Sequence, residues 1–536
     1  MQTDVRRRSA TALVCFAATV GAVLFAGCGT KNDSGSGFEQ PITSGPGPTG
    51  ADGSAGDATA PFDIDDGGGF VGLTLTDAQP DRGAPPANCK LPGLWCYQTT
   101  APCITELSGT VFDPAGQVPL SNVVVYVPAD PTVKLTSIKT GTNSCSACTT
   151  QISNYMALAV TDVNGKFTMK GVPATTDVPV VVQIGKWRRE VTLGSVTKCI
   201  DNTVKDGTLR LPQSKAEGDI PQMAVVTGGA DDLGCFLRGM GLAASEYSAP
   251  NAGGRLDVYQ GVGGPSLASA TAGVCNSANT VCPLYASKPA LEYYDIVLLA
   301  CEGGEHGETK PSASLQFMHD WLNEGGKVFA SHFQYYWFKD GPTDFQNVAT
   351  WTGVSAGSGV GTYKVDTSFN RGMVFDEWLT GSGVGAATGT QIMLNGVADS
   401  VSAITADATQ WIFDGYPNFL GTTTNHPKYI SFLTPIGGMK TTATPPADGG
   451  TEEGGSAEGG SGSEAPTYCG KAVFSDLHTS GSPSGTSVPT SCPTTLTAQQ
   501  KALEYLFFDL AACVAPENAP PPTPPANPPP PPPPPM

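Results

Sequence analysis

The stretch "YDIVLLACEGG", residues 294–304, decides how the second half of the chain is read. Five apolar residues, Ile296 to Ala300, are followed by Cys301, Glu302 and a pair of glycines. A short unbroken apolar run closed by glycines predicts a strand buried on both faces, as in a parallel sheet. Strand and helix patterns alternate around it. "MAVVTGG" (223–229) predicts a buried strand, and "DDLGCFLRGMGL" (231–242) a helix with Leu233, Phe236, Leu237 and Met240 on one face. "GRLDVYQG" (254–261) is a strand, "ASLQFMHDWLNEGG" (313–326) an amphipathic helix closed by Gly325, and "KVFASHF" (327–333) a strand. Later come "YISFLTPI" (429–436), "KAVFSDLH" (471–478) and the helix "TAQQKALEYLFFDLAACV" (497–514), whose apolar face is Leu503, Leu506, Phe507 and Leu510. This alternation predicts a mostly parallel sheet with helices on both faces: a three-layer, flavodoxin-like α/β domain over residues 220–515. The Gly, Glu and Ser stretch 447–465 reads as a flexible insertion within it.

Residues 89–215 follow a different pattern. "ELSGTVFDPAGQVPLSNVVVYVP" (106–128) alternates and turns at Pro114-Ala115-Gly116. "AVTDVNGKFTMKGVP" (159–173) reads as a strand, an Asn-Gly hairpin turn and a second strand, and "VPVVVQIGKWRREVTL" (178–193) gives two more. Short strands at this spacing predict a small antiparallel β-sandwich, making the chain multidomain. The segments "GTVFDPAGQVPLSNVVVYV" (109–127) and "TDVNGKFTMKGVP" (161–173) resemble the carboxypeptidase regulatory-like domain, a prealbumin-like sandwich. That resemblance implies an accessory fold without catalysis.

The first 27 residues read as an export signal. Arg6, Arg7 and Arg8 precede an apolar run from Ala10 to Ala26, and "LFAGC" resembles the bacterial lipobox with Cys28 as the lipidated residue. The alternative is an ordinary signal peptide cut near Ala26. Residues 28–88 are rich in Gly, Ser, Pro, Asp and Thr and read as a disordered tether. Residues 516–536 form a Pro-rich tail with polyproline II character. With a net charge of −19 there is no basic field to collect phosphates, so nucleic acid is excluded as a partner. The expected partners are a bacterial membrane, reached through the lipid on its periplasmic or cell-surface side, and a carbohydrate or an envelope protein.

Fifteen cysteines are present, and removing Cys15 with the signal and Cys28 with the lipid leaves an odd number. An odd count in a disulfide-permissive compartment predicts a free thiol, with Cys301 and Cys235 as candidates. Cys275 and Cys282 flank the short loop "CNSANTVC" and are expected to pair. The six cysteines from Cys89 to Cys199 make an even set, for which disulfides to neighbouring loops are expected.

"YDIVLLACEGG", "EGGKVFASH" (324–332) and "GKAVFSDLH" (470–478) resemble the class I glutamine-amidotransferase-like superfamily and, within it, the trehalose-utilisation (ThuA-like) proteins. Ligands of parallel sheets bind at the carboxyl ends of the strands. Asp231 and Asp232, Cys301 and Glu302, His332, and His478 are all expected there. The resemblance implies a nucleophilic Cys301 with His478 or His332 as base. The sequence departs from that pattern: Leu299 stands where the family's elbow has its first glycine, and Ser480 where an acid follows the late histidine. A second reading is metal or polar-ligand binding through His332, His478, Glu302 and an Asp; a third is purely structural. Tyr335, Tyr336 and Trp337, beside His332, are candidates for stacking on a sugar. No cofactor and no metal are assigned. A non-catalytic binding or accessory role in the cell envelope is the expected function. Its alternative is a hydrolase or transferase using Cys301 with a histidine base, or a metal site at His332 and His478. Cys28→Ala is expected to release the protein from the membrane or block its processing, as followed by membrane fractionation; a variant that is cleaved normally and stays membrane-bound would contradict the lipid anchor.

Overall fold

Alternate residues of the central strands enter two different cores. Ile296 and Leu298 join one buried cluster, with Met223 and Val225 from the neighbouring strand, while Val297 and Leu299 join another with Ala224 and Val226. This is why "IVLL" is apolar at every position: both faces of the sheet are covered. The computed structural model describes residues 85, 87–99, 102–141, 145, 152, 154–276, 281–353, 360–381, 384–415, 424–439, 467–479, 487–520 and 526–532. The export signal, Cys28, nearly all of the tether and the insertion 447–465 lie outside the described residues. Residues 77–536 form one unit. No helix among the described residues is long and apolar enough to cross a membrane.

The protein is mixed α/β, with several sheets and few helices. In the largest sheet, Tyr247–Ser248, Leu256–Gln260, Met223–Thr227, Ile296–Leu299, Lys327–Ser331 and Gly470–Ser475 run parallel in that spatial order. Beyond Gly470–Ser475 the sheet turns antiparallel through Pro427–Thr434, Ala408–Phe413, Val360–Val365, Gln391–Asn395 and Ala387–Thr388. The sheet is therefore mixed rather than mostly parallel. The antiparallel half is not legible because its outer strands mix exposed with buried residues, Thr, Gly and Gln among them, instead of running apolar throughout. The helix Leu233–Gly239 packs into the first core, and Ser312–Asn323 packs Leu315, Met318, Trp321 and Leu322 into the second.

Ahead of the large sheet in the chain come a five-stranded sheet and a three-stranded sheet that share one core. Thr176–Ile184 and Trp187–Ser195 form the expected hairpin. The Asn-Gly turn does not. Tyr155–Val160 pairs with Val124–Pro128 in the five-stranded sheet, while Lys166–Lys170 pairs with Glu106–Thr110 in the three-stranded one. Asn164-Gly165 is a corner between the two sheets, closed by the Asp162 carboxylate, which accepts the Asn164 and Lys166 N–H groups at 2.8 and 2.9 Å. Gly165, at φ +73°, supplies the left-handed residue that this turn needs.

The last helix, Ala498–Ala511, joins the two parts. Thr497 and Gln500 form a reciprocal capping box at its start. Leu503, Leu506, Phe507 and Leu510 are buried as expected, but so are Ala502, Glu504, Tyr505 and Phe508. One face meets the large sheet and the rest meets the sandwich, where Trp187 packs edge-on to Phe508 at 5.9 Å. Burying each such aromatic contributes about 2–3 kcal/mol. The boundary expected at residue 515 is also too early. Glu517 is buried and meets Arg371 and Lys471, which also hold Asp509. Within the tail, Asn527 accepts the Leu158 N–H and donates to the Lys170 carbonyl, so that residue is docked on the sandwich.

Among the described residues, Cys89–Cys96, Cys103–Cys199, Cys145–Cys469, Cys235–Cys492 and Cys275–Cys282 are joined, and Cys513 is disulfide-bonded as well. Cys145 reaches across the fold to Cys469, not to a neighbouring loop as expected. Cys235 is bonded, so it is not the free thiol; Cys301 is free and buried.

Candidate functional site

Three strand ends build the site. Cys301 follows Ile296–Leu299 by two residues, His332 follows Lys327–Ser331 directly, and His478 lies three residues beyond Gly470–Ser475. These strands are neighbours and parallel, so their carboxyl ends emerge side by side. Cys301 Sγ is 3.4 Å from His332 Nδ1, and that nitrogen is 3.2 Å from His478 Nε2. The three ligand atoms lie within 4.8 Å of one another.

Asp231 holds the cluster together. Its carboxylate accepts the Ser331 hydroxyl, the Thr479 N–H at 2.8 Å, the Thr479 hydroxyl and the Asp232 N–H at 2.8 Å. Ser331 precedes His332 and Thr479 follows His478, so one buried carboxylate fixes the backbone on which both imidazoles stand. Hydrogen bonds to a charged acceptor are worth about 1.5–3 kcal/mol each. The loop carrying Asp231 passes directly over Cys301. The Ala230 N–H donates to the Cys301 carbonyl at 2.9 Å, and a Cβ on Gly228 would lie 2.1 Å from that oxygen, so only glycine fits there.

His332 sits at φ +45°, left-handed although not glycine. Such a residue costs about 1–3 kcal/mol and persists where its surroundings over-determine it. His478 Nδ1 meets the Gly396 carbonyl at 2.9 Å. A carbonyl only accepts, so Nδ1 carries a hydrogen, and in the corresponding neutral tautomer the Nε2 lone pair faces His332. Among the described residues, His332 Nε2 is buried without a hydrogen-bond partner. Burial, followed by the neighbouring His478, pushes His332 down from 6.5 to about 3. Burial drives the Cys301 thiol up to about 12, against the backbone N–H groups of Phe333 and Gly303, which favour the thiolate.

The other expected site residues are placed elsewhere. Glu302 is buried and fully engaged. It accepts from Lys310 Nζ at 2.7 Å, Gln334 Nε2 at 2.9 Å and the Val262 N–H at 2.8 Å, so it is not a ligand of the cluster. Breaking such a buried pair costs about 3–5 kcal/mol. Asp232 is the residue preceding the helix Leu233–Gly239, and its N–H also lies 3.1 Å from Thr479 Oγ1. Tyr335 and Trp337 are 1% exposed and offer no face to a sugar. Trp337 donates to Gln334 and packs edge-on to Tyr285 at 4.8 Å, and the Tyr335 hydroxyl donates to Glu305. Tyr336 is half-buried beneath the Lys339 ammonium. Lys310, Gln334, Ser331, Thr479 and the Gly396 carbonyl went unread. Lys310 and Gln334 face Glu302 only through loop closure, which no local spacing signals. Ser331 and Thr479 could have been found as the polar residues flanking the two histidines.

No protein-family model matches the chain, and no curated protein matches it. Two solved structures are similar in part. A ThuA-like protein from Bacteroides uniformis shares 9% identity over 53% of this chain and 89% of its own, with a TM-score of 0.26. A chain of a type II cohesin–X-dockerin complex from Acetivibrio cellulolyticus shares 21% identity over 20% of this chain and 56% of its own, with a TM-score of 0.13. At these scores neither likeness bears on function.

The depressed His332 sets a pH dependence. Its unfolded ring takes a proton below about 6.5 and its folded ring resists one down to about 3. Its contribution to stability is complete above pH 6.5 and is lost as the pH falls toward 3. In nuclear magnetic resonance titrations the His332 ring is expected to remain neutral at about pH 5, and His332→Gln is expected to flatten the acid limb of the denaturant midpoint against pH. A His332 ring that titrates near its ordinary value would contradict this.

Proposed function

We propose that the chain is an exported, lipid-anchored accessory protein of the bacterial cell envelope. It holds a ligand at the strand ends that carry Cys301, His332 and His478, and does not use Cys301 as a covalent nucleophile. The observation that carries this reading is the burial of Cys301: its exposure is 0%, with the thiol held near 12. A cysteine nucleophile must be reachable and partly thiolate near neutral pH. A histidinium would lower the thiol, but His332 is held neutral by its surroundings. Among the described residues, no carboxylate hydrogen-bonds to either imidazole of the cluster, so an orienting acid is absent from that shell.

The disulfides support an oxidising location, and the lipobox-like "LFAGC" supports the anchor. The six parallel strands, with a core on each face, support a three-layer, flavodoxin-like arrangement related to the ThuA-like proteins. The two smaller sheets around one core support a carboxypeptidase regulatory-like sandwich. An open cleft of about 280 Å³ between the two parts is lined by Phe112, Gln117, Asn164, Lys166, Asp206 and Trp378 among others.

Iodoacetamide labelling of the folded, metal-free protein without reductant, from about pH 6 to about pH 9, tests the reading. Cys301 is expected to label slowly or not at all. Rapid labelling that slows sharply in His478→Ala or His332→Ala would establish a nucleophile and overturn it.

A further inference from the structure

We propose that Cys301 Sγ, His332 Nδ1 and His478 Nε2 form a three-ligand site for a divalent d-block cation of the zinc, cobalt or copper class, with a fourth coordination position left for water or a small ligand. This rests on the reading above, that the strand ends hold a ligand without covalent catalysis, and names the ligand.

Geometry comes first. A tetrahedral ion with sulfur at about 2.3 Å and nitrogen at about 2.0 Å separates S from N by about 3.5 Å and N from N by about 3.3 Å. The observed separations are 3.4 Å for Cys301–His332 and 3.2 Å for His332–His478. The third pair, Cys301 and His478, lies within 4.8 Å.

The proton inventory points the same way. In the neutral tautomer that gives its Nδ1–H to Gly396, His478 Nε2 is a bare lone pair. If His332 Nδ1 is also bare, two lone pairs face each other at 3.2 Å. If it is protonated, the Cys301 hydrogen has no acceptor within the cluster. A cation at the centre satisfies all three atoms at once. The His478 Nδ1–carbonyl contact is also the outer bond that orients a metal-bound histidine.

One thiolate with two imidazoles selects soft and borderline ions over magnesium or calcium, which need oxygen ligands. On binding, the Cys301 S–H bond breaks, the sulfur–metal bond forms and the proton passes to the buffer. The metal keeps its oxidation state. Phe333 and Gly303 supply backbone N–H groups to the resulting thiolate. The chain's net charge of −19 favours approach of a cation.

The test uses the mature full chain, stripped with chelator and titrated with Co²⁺ alone. One equivalent is expected to give visible d–d bands together with a near-ultraviolet sulfur-to-cobalt charge-transfer band. Cys301→Ser, shown folded by circular dichroism, is expected to lose the charge-transfer band. His478→Gln, at the half-buried position that best tolerates change, is expected to weaken binding at least about 10-fold. If the folded wild-type chain shows no charge-transfer band, or if Cys301→Ser retains it, the metal site is overturned. Slow iodoacetamide labelling of the metal-free protein leaves the non-nucleophilic reading standing in that event, whereas fast histidine-dependent labelling removes it, so the two failures are told apart.

Discussion

The Asp231 carboxylate is the contact on which the site depends. It arrives on the loop after Met223–Thr227 and accepts hydrogen bonds from the ends of two other strand connections, at Ser331 and Thr479. The sheet already pairs the two strands, with Ser331 opposite Ser475, and the carboxylate ties the residues beside His332 and His478 to one further point. The sheet sets the strand ends side by side, and the clamp converts that proximity into a distance of 3.2 Å between imidazole nitrogens. Gly228 makes the clamp possible, because only a residue without Cβ lets the Asp231 loop lie on the Cys301 carbonyl.

The same construction explains the state of the thiol. A loop, a strained histidine and a sheet edge close over Cys301, so it neither meets another cysteine nor faces solvent. The other described cysteines are all consumed in disulfides, several of them tying distant segments together. A thiol kept apart in this way, against two imidazoles, fits the proposed coordination better than attack. Burial penalises the free thiolate, and a cation there would supply the compensating charge.

Much of this was legible in the sequence, for identifiable reasons. Buried strands advertise themselves by apolar runs bounded by glycine, so "IVLL", "MAVV" and "KVFAS" were placed within a residue or two. Parallel topology then forced Cys301, His332 and His478 to one edge before any distance was known. What could not be read depends on tertiary closure. The Asn164-Gly165 turn has the local signature of a hairpin, but the hydrophobic core draws its two strands into different sheets. The aromatic run after His332 has the composition of a sugar platform, yet Gln334 and Glu302 tie it into the interior. The last helix carries an apolar stripe that anyone would call amphipathic, and only the packed sandwich shows why Tyr505 and Phe508 are apolar too.

The central claim is that Cys301 is a sequestered thiol and not half of a disulfide. The most direct measurement is peptide mapping by mass spectrometry on the purified protein, denatured without reductant in the presence of chelator, and alkylated. Cys301 is expected in its alkylated form, with Cys235 recovered joined to Cys492. Recovery of Cys301 in a disulfide with any other cysteine would contradict the claim, because a half-cystine has no thiolate to offer a metal.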